Sequence, residues 1–532
     1  MLVSLLLVPP LRRYATTLKL VDTPDERKVH QSIVPRVGGI AMIGGTLFAI
    51  LVWLEPGMAL YSFLAGVIII AVFGTWDDRN QLGYRIKFLG QFIASLLVIL
   101  VGDVKVNSLP FLYDEVIPDY IAVPFTLFAM LGITNAINLT DGLDGLAGGS
   151  SLLSLGVIAL LGLVAGDINF VLLCMAIMGA ILGFLRFNTH PASIFMGDTG
   201  SQFLGFSLGV LVIWLTQNIY PVISPSIAII ILGLPVLDTL YVMSQRLFEG
   251  RSPFRPDKRH IHHKLLSAGL DHYEAVSCIY LVQSTMVLCA YIFRFQNDFM
   301  ILGIYLLSGL FFLYLIEILN RHAIINRNRD RYSLFRRLME QGDNRSQLIR
   351  FCAATGSTSL LVYFAIIIME VETIPAEVML ISAVLLIAGG LITMVTKGIG
   401  GIGWLRLELY LTCTLMVYLC HINPPFDIVV MRAVNLLYAA FLVITFLGLV
   451  LPERGKQNIT PLDYLIIFVM VVLYGLPENR FADVGHYSVD IIRLFLLFYL
   501  CEFILMSVKK NVIILKGGIL SALALILLKY SL

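Results

Sequence analysis

Charge is scarce in this sequence. Asp, Glu, Lys and Arg make up 14% of its 532 residues, where a soluble domain carries about a quarter. With 58% of the chain hydrophobic, there is too little polar surface to clothe a water-soluble globule, so a soluble enzyme is excluded. The net charge of +2 gives no argument for a nucleic-acid partner, and none is expected. Cysteine is sparse as well: the seven (Cys174, Cys278, Cys289, Cys352, Cys413, Cys420 and Cys501) lie in or at the ends of apolar runs, and none forms C-x-x-C. They read as packing residues rather than as disulfides or a metal cluster. P-loops are missing, and the Gly-x-Gly-x-x-Gly match at Gly398–Gly403 joins two apolar runs instead of following a strand, so a Rossmann or kinase-type nucleotide site is not expected. No repeat of 20–50 residues is visible. A cleavable signal peptide is also missing: Met1–Leu11 is apolar but has no basic start and no small-residue cleavage site. It falls short of the roughly 20 residues of a spanning helix, so a first helix clipped at its start is expected.

What is present is a long series of apolar runs. They cover 1–14, 37–55, 59–76, 86–102, 119–138, 147–165, 168–187, 200–217, 225–247, 274–293 and 299–319. A second set covers 351–370, 378–396, 404–421, 433–451, 462–476, 488–508 and 512–529. The expected fold is an all-α, polytopic integral membrane helix bundle of eleven segments plus seven. Lys and Arg set its orientation. One set of alternate loops holds Arg12, Arg13, Lys19, Arg27, Lys28, Arg36, Arg79, Arg85, Lys87, Arg246 to Lys264, and an Arg-rich stretch at 320–350. The other loops offer little beyond Lys105, Arg294, Arg432 and Arg480. The basic side is therefore the cytoplasmic one.

The polar motifs fall on that same side. In TNAINLTDGLDGLAGGS, from Thr134 to Ser150, Asn135, Asn138, Asp141 and Asp144 arrive three apart. On a helix, consecutive members sit roughly 60° apart and share a face. Gly142 and Gly145 weaken that helix. Capping alone accounts for a single Asp-Gly or Asn-Gly, but two carboxylates with two amides suit Mg²⁺ beside substrate phosphates. Asp77-Asp78 is a carboxylate pair at a helix end, its members about 100° apart. It serves a ligand or merely a solvated end. Asp198 lies in Met196-Gly197-Asp198-Thr199-Gly200, where small residues let a phosphate approach the backbone, or where a turn opens the next helix. His260, His262 and His263 stand among Arg255, Lys258, Arg259 and Lys264. No cysteine or carboxylate cluster accompanies them, so diphosphate oxygens fit better than zinc. A transporter more often puts its ionisable groups at the bilayer midplane. Polar groups gathered at one membrane surface suit an enzyme that joins a polar cytoplasmic substrate to a lipid.

In order, DTPDERKVH…PRVGG, WDDR, NAINLTDGLDGL, FNTHPASIFMGDTGS and SPFRPDKRHIHH resemble the polyprenyl-phosphate N-acetylhexosamine-1-phosphate transferase family. The resemblance covers residues 1–320. It implies transfer of a sugar 1-phosphate from a UDP-sugar to undecaprenyl phosphate, release of UMP, and Mg²⁺ as cofactor with Mn²⁺ as an alternative. The HIHH loop resembles the WecA/TagO branch, which uses UDP-N-acetylglucosamine. The MraY branch, which uses UDP-N-acetylmuramoyl-pentapeptide, carries three successive histidines, and Ile261 interrupts them here. By resemblance, Asn138 and Asp198 are metal ligands, and Asp77 and Asp78 position or deprotonate the lipid phosphate. Asp141, Asp144 and Asn188 line the nucleotide site with Asn135. His262, His263 and Arg255, with His260, hold the diphosphate and sugar. The implied location is the bacterial cytoplasmic membrane, with the site on the cytoplasmic face and an oligomer left open. The rival readings are a lipid-linked-sugar transporter, an inactive scaffold and a transferase for another UDP-N-acetylhexosamine. The expected domains are 1–320, a basic linker at 321–350, and 351–532, a membrane extension with no chemistry assigned.

Overall fold

A computed structural model describes residues 1–22, 33–111, 116–252, 259–325, 344–395, 402–423, 427–450, 482–507 and 509–531. These fall into two compact units, one within 1–325 and the other within 344–531.

In the first unit every expected apolar run is one helix. They are α1 (Leu2–Tyr14), α2 (Gly38–Trp53), α3 (Met58–Asn80), α4 (Tyr84–Val101), α5 (Asp119–Thr140), α6 (Leu146–Ala165), α7 (Ile168–Asn188), α8 (Gly197–Trp214), α9 (Ile227–Phe248), the short α10 (Ile261–Ser267), α11 (His272–Ile292) and α12 (Asp298–Ile325). Among the described residues, eleven helices are long and apolar enough to cross a membrane. The protein is a multi-pass, all-α membrane protein.

The middle of the unit is α8, which continues through a π-turn at Leu215–Ile219. The apolar window of Gly197–Ile219 is 94% buried, and α2, α3, α4, α5, α6 and α9 all pack on α8. Such close approach needs small residues, as membrane helix interfaces generally do. A methyl group added at Gly74 of α3 would stand 2.6 Å from Thr199 Cα. One at Gly205 of α8 would stand 2.7 Å from Thr134 Cα of α5. The start of α8 is thereby clasped between the ends of α3 and α5, where the acidic motifs lie.

Helix α9 is broken at Gly233, whose φ is +38°, two residues before Pro235. Proline has no N–H for the carbonyl of Ile231, and a bare carbonyl inside a bilayer is costly. That carbonyl accepts instead from Gln283 Nε2 at 3.0 Å and Ser154 Oγ at 2.8 Å. Leu234 N donates to Gln283 Oε1 at 3.0 Å, and the Tyr305 hydroxyl donates to the Gly233 carbonyl at 3.1 Å. Side chains thus satisfy the Ile231 and Gly233 carbonyls and the Leu234 N–H at the break, which redirects the half of α9 that carries Asp238.

One short pairing departs from the all-helical expectation. β1 (Val21–Asp22) runs antiparallel to β2 (Val34–Pro35). The chain then docks on the loop before α8, with Gly38 N and Gly39 N donating to the carbonyls of Phe195 and Met196 at 2.9 Å each. This arm carries Arg36 to the start of α8.

The second unit contains α13 (Asn344–Glu370), α14 (Ala376–Val395), α15 (Ile402–Ile422), α16 (Ile428–Val450), α17 (Ala482–Ser507) and α18 (Lys509–Ser531). The expected span 462–476 lies outside the described residues. Helices α12 and α13 extend into both ends of the expected linker 321–350, and its middle also lies outside. The polar residues of this unit join helices. Arg406 Nε pairs with Glu502 Oε1 at 2.5 Å, the Tyr410 hydroxyl donates to the same carboxylate, and His421 Nδ1 meets Asp490 Oδ2 at 2.6 Å. Arg493 lies over the Tyr438 ring, and the buried Glu408 fills the space left by Gly389.

Candidate active site

Asp198 sits in the first turn of α8 and is half-buried. Its Oδ1 accepts from Asn138 Nδ2 at 2.8 Å. The same amide nitrogen donates to Ser201 Oγ at 2.7 Å. That leaves the amide oxygen of Asn138 and Oδ2 of Asp198 as donors for a cation. Hard oxygen donors of this kind fit Mg²⁺. Lys87, one turn into α4, bridges the acids: its Nζ lies 2.5 Å from Asp77 Oδ2 and 3.4 Å from Asp198 Oδ2. The sequence reading did not single out Lys87. Its signal was a lysine at a helix start immediately after the WDDR helix end.

Asp77 and Asp78 diverge, as adjacent helical residues must. Asp77 turns to Lys87 and accepts from Leu82 N at 2.6 Å. Asp78 turns to the start of α8. Its Oδ1 accepts from Asp198 N at 2.7 Å, and its Oδ2 accepts from Thr199 N at 3.0 Å and the Thr199 hydroxyl at 2.7 Å. Asp78 therefore caps α8 from another helix, satisfying N–H groups that have no intrahelical partner. Gly197 makes this possible. Its φ is +70°, and a methyl group there would stand 2.5 Å from Asp78 Oδ2. In this geometry Asp78 positions Asp198, and its lone pairs face α8. Arg36 Nη2 donates to Asp22 at 2.7 Å, while its Nη1 lies 4.0 Å from Asp78.

The four residues spaced three apart do not share one helical face. Helix α5 ends at Thr140, and Asp141 is already non-helical, with φ −75° and ψ 54°. Asn135 points into the bundle. It donates to Gln91 Oε1 at 2.8 Å, and Gln91 Nε2 donates to Gln202 Oε1 at 3.1 Å. This amide chain ties α5, α4 and α8 together. Asp141 opens to the cleft. Its carboxyl is pushed up to about 7 by its depth among surrounding protein, then by the negative charges of Asp198, Asp78 and Asp144. The side chain still meets water, so the like-charge part is what a bound cation would cancel. Asp144 turns away to His190, with Oδ2 and Nδ1 2.6 Å apart. Asn188 is buried between backbones: its Oδ1 accepts from Gly145 N at 2.8 Å and its Nδ2 donates to the Ile194 carbonyl at 2.9 Å. It therefore holds loops together in this structure rather than facing a ligand.

The histidine motif divides in the same way. His260 Nδ1 lies 2.9 Å from Asp238 Oδ2, and Ile261 N donates to Asp238 Oδ1 at 2.9 Å. Asp238 thereby anchors the start of α10. It too escaped the sequence reading, although a lone acid in the apolar run of α9 was its signal. His262 is buried against the DGLDGL turn, and a methyl group on Gly142 would stand 2.2 Å from its Nε2. Burial, then the charges of His263 and His260, lowers the His262 pKa to about 3. That keeps His262 uncharged near neutral pH. The His263 ring lies 4.2 Å from that of His262 and is half-buried. Arg255 lies outside the described residues.

The structure thus brings Asp77, Asp198, Asn138 and Lys87 into contact, with Asp141 open beside them. It uses Asp78 and Asn188 to hold backbone groups, and Asn135 and His260 to tie side chains of neighbouring helices. The sequence profile of glycosyl transferase family 4 matches residues 60–216, which include the acidic motifs of α3, α5 and α8. A probable undecaprenyl-phosphate N-acetylglucosaminyl 1-phosphate transferase of Bacillus subtilis is 40% identical over 286 residues, 53% of this chain and 79% of that protein. The undecaprenyl-phosphate alpha-N-acetylglucosaminyl 1-phosphate transferase of Yersinia pestis is 32% identical over 318 residues, 58% of this chain and 86% of that protein. Its counterpart in Escherichia coli K12 is 33% identical over 315 residues, 57% of this chain and 84% of that protein. With a carboxylate–amide–lysine cluster suited to phosphate chemistry at the end of its bundle, and relatives matched over most of their own length, this chain belongs to the family of sugar-1-phosphate transferases that act on undecaprenyl phosphate.

Proposed function

We propose that this enzyme transfers N-acetylglucosamine 1-phosphate from UDP-N-acetylglucosamine to undecaprenyl phosphate and releases UMP. The observation that carries the reading is the Asp198–Asn138–Lys87 cluster, in which hard oxygen donors and a lysine ammonium meet at one end of the spanning helices. Phosphoryl transfer needs charge neutralisation and in-line placement more than covalent help. Asp198 and Asn138 would hold Mg²⁺, or Mn²⁺ in its place, which neutralises diphosphate charge when bound. Lys87 supplies a second cation beside the acids. His262, uncharged and held by burial, orients a sugar or phosphate oxygen by hydrogen bonding. In our reading an oxygen of the lipid phosphate attacks the β-phosphorus of the UDP-sugar. A new P–O bond forms, the bond to UMP breaks, and UMP leaves with its electron pair. The distribution of Lys and Arg supports a cytoplasmic position for this end, in our reading at the inner membrane of a bacterium. Both substrates reach it there, the nucleotide from water and the lipid from the bilayer. The activities of the relatives support the donor sugar and the acceptor.

The test is turnover by the purified chain with undecaprenyl phosphate, Mg²⁺ and a panel of UDP-sugars. UMP and a lipid-diphosphate-linked N-acetylglucosamine are expected. EDTA should abolish the reaction, and Mg²⁺ or Mn²⁺ should restore it. Preference for UDP-N-acetylmuramoyl-pentapeptide overturns the donor assignment. UMP release without lipid product overturns the acceptor.

Gly142→Ala tests the His262 role. The new methyl group cannot coexist with the buried ring, which has to move. A displacement near 1 Å can cost about a hundredfold in rate, so turnover should fall about ten- to a hundredfold with the protein still monodisperse in detergent. Wild-type turnover would show that the position of His262 does not matter.

A further inference from the structure

Three side chains from three separate elements converge beside the cleft: Asp144 from the turn after α5, His190 from the loop after α7, and His272 at the start of α11. One ligating atom from each lies within 4.8 Å of the other two. The two imidazoles stack with centroids 4.0 Å apart at 16°. His190 Nδ1 is 2.6 Å from Asp144 Oδ2, and His272 Nε2 is 3.2 Å from the Asp144 carbonyl. All three residues are half-buried, so water and ions reach them. The surroundings hold the group in place. Ala192 N donates to Asp144 Oδ2 at 3.1 Å, the Tyr273 hydroxyl donates to the His190 carbonyl at 2.7 Å, and the Tyr273 ring packs edge-on to His190 at 5.2 Å.

We propose that Asp144, His190 and His272 form a transition-metal site of the Zn²⁺ class, separate from the cation site at Asp198 and Asn138. Two imidazoles and one carboxylate are the donors such ions select, whereas Mg²⁺ prefers oxygen alone. Three protein ligands leave a coordination position open to water. Binding replaces the hydrogen bond between His190 Nδ1 and Asp144 Oδ2: a neutral His190 carries its proton on Nε2 and offers Nδ1 to the ion. A bound ion would tie together the turn carrying Asp141, the loop leading to Asp198, and the helix that follows the histidine motif.

The test uses the purified full chain, stripped with EDTA and equilibrated with limiting Zn²⁺ in excess Mg²⁺. Mass spectrometry of bound metal should find one Zn²⁺ per chain. His190→Ala and His272→Ala should each weaken retention by about tenfold or more. His421→Ala, in the second unit, should retain zinc as wild type does. Zinc at the wild-type level in both cleft variants overturns the proposal, as does wild type that retains none. A measurement on the unsubstituted chain guards against variants that fail to fold. Co²⁺ should give the visible bands of an imidazole-ligated ion of low coordination number, and the spectrum of six-coordinate Co²⁺ ligated by oxygen alone overturns the site.

Discussion

Asp198→Asn is expected to leave a folded membrane protein whose turnover has fallen by on the order of a hundredfold or more, the scale seen when one preorganised electrostatic group is removed from a transition-state site. The substitution keeps the shape of the side chain and removes its charge. It also reverses one contact. If the new amide nitrogen takes the place of Oδ1, it faces Asn138 Nδ2, donor against donor. If it takes the place of Oδ2, it faces the Lys87 ammonium, now 3.4 Å away. Either way the hard anionic donor for Mg²⁺ is lost. The fold should be unaffected, because Asp78 grips the backbone N–H of residue 198 rather than its side chain, and Lys87 keeps Asp77 as its partner. The check is initial rate across a Mg²⁺ titration, with the thermal midpoint measured on the same sample. A near wild-type rate at the Mg²⁺ concentration that saturates the wild type refutes the role. Recovery only at very high Mg²⁺ would confine it to metal affinity.

Asp78→Asn is expected to cost both rate and stability. The carboxylate is buried, and it accepts two backbone N–H groups and one hydroxyl at the start of α8. An amide offers one acceptor oxygen and turns its NH₂ against donors. Hydrogen bonds to charged groups contribute about 1.5–3 kcal/mol each, and a buried donor left unpaired costs a similar amount. The thermal midpoint should therefore drop by several degrees. As the first turn of α8 loosens, Asp198 moves relative to Asn138, and turnover should fall by about a hundredfold. The paired readout separates two roles. Lost turnover at an unchanged thermal midpoint would place Asp78 in contact with substrate. Lost turnover with a lowered midpoint makes it the residue that positions Asp198.

Much of this molecule was legible in the chain. The hydrophobic runs gave every long helix of the first unit, because bilayer thickness imposes a length that apolar stretches must meet. The motifs could be placed at one end, because successive spans alternate in direction and Lys and Arg mark one side. The types of donor were also readable: carboxylate, amide, imidazole and cation. The direction each donor takes was not. Asn135 and Asn138 differ by three residues on one helix, yet one binds Gln91 inside the bundle and the other binds Asp198 in the cleft. Asp77 and Asp78 are neighbours, yet one meets a lysine and the other caps a helix.

The sequence by itself determined the spans, their alternation and the chemical inventory, since these follow from local hydropathy and residue type. Only the tertiary structure decided which acid faces the cleft, which amide ties helices, and that Lys87 and Asp238 belong to the site. The physical reason is the distance along the chain between partners. Asp78 meets Thr199 across 121 residues, Asn138 meets Asp198 across 60, and Asp144 meets His190 across 46. At a helix end the backbone no longer dictates where a side chain points. The partner that arrives from elsewhere in the bundle does.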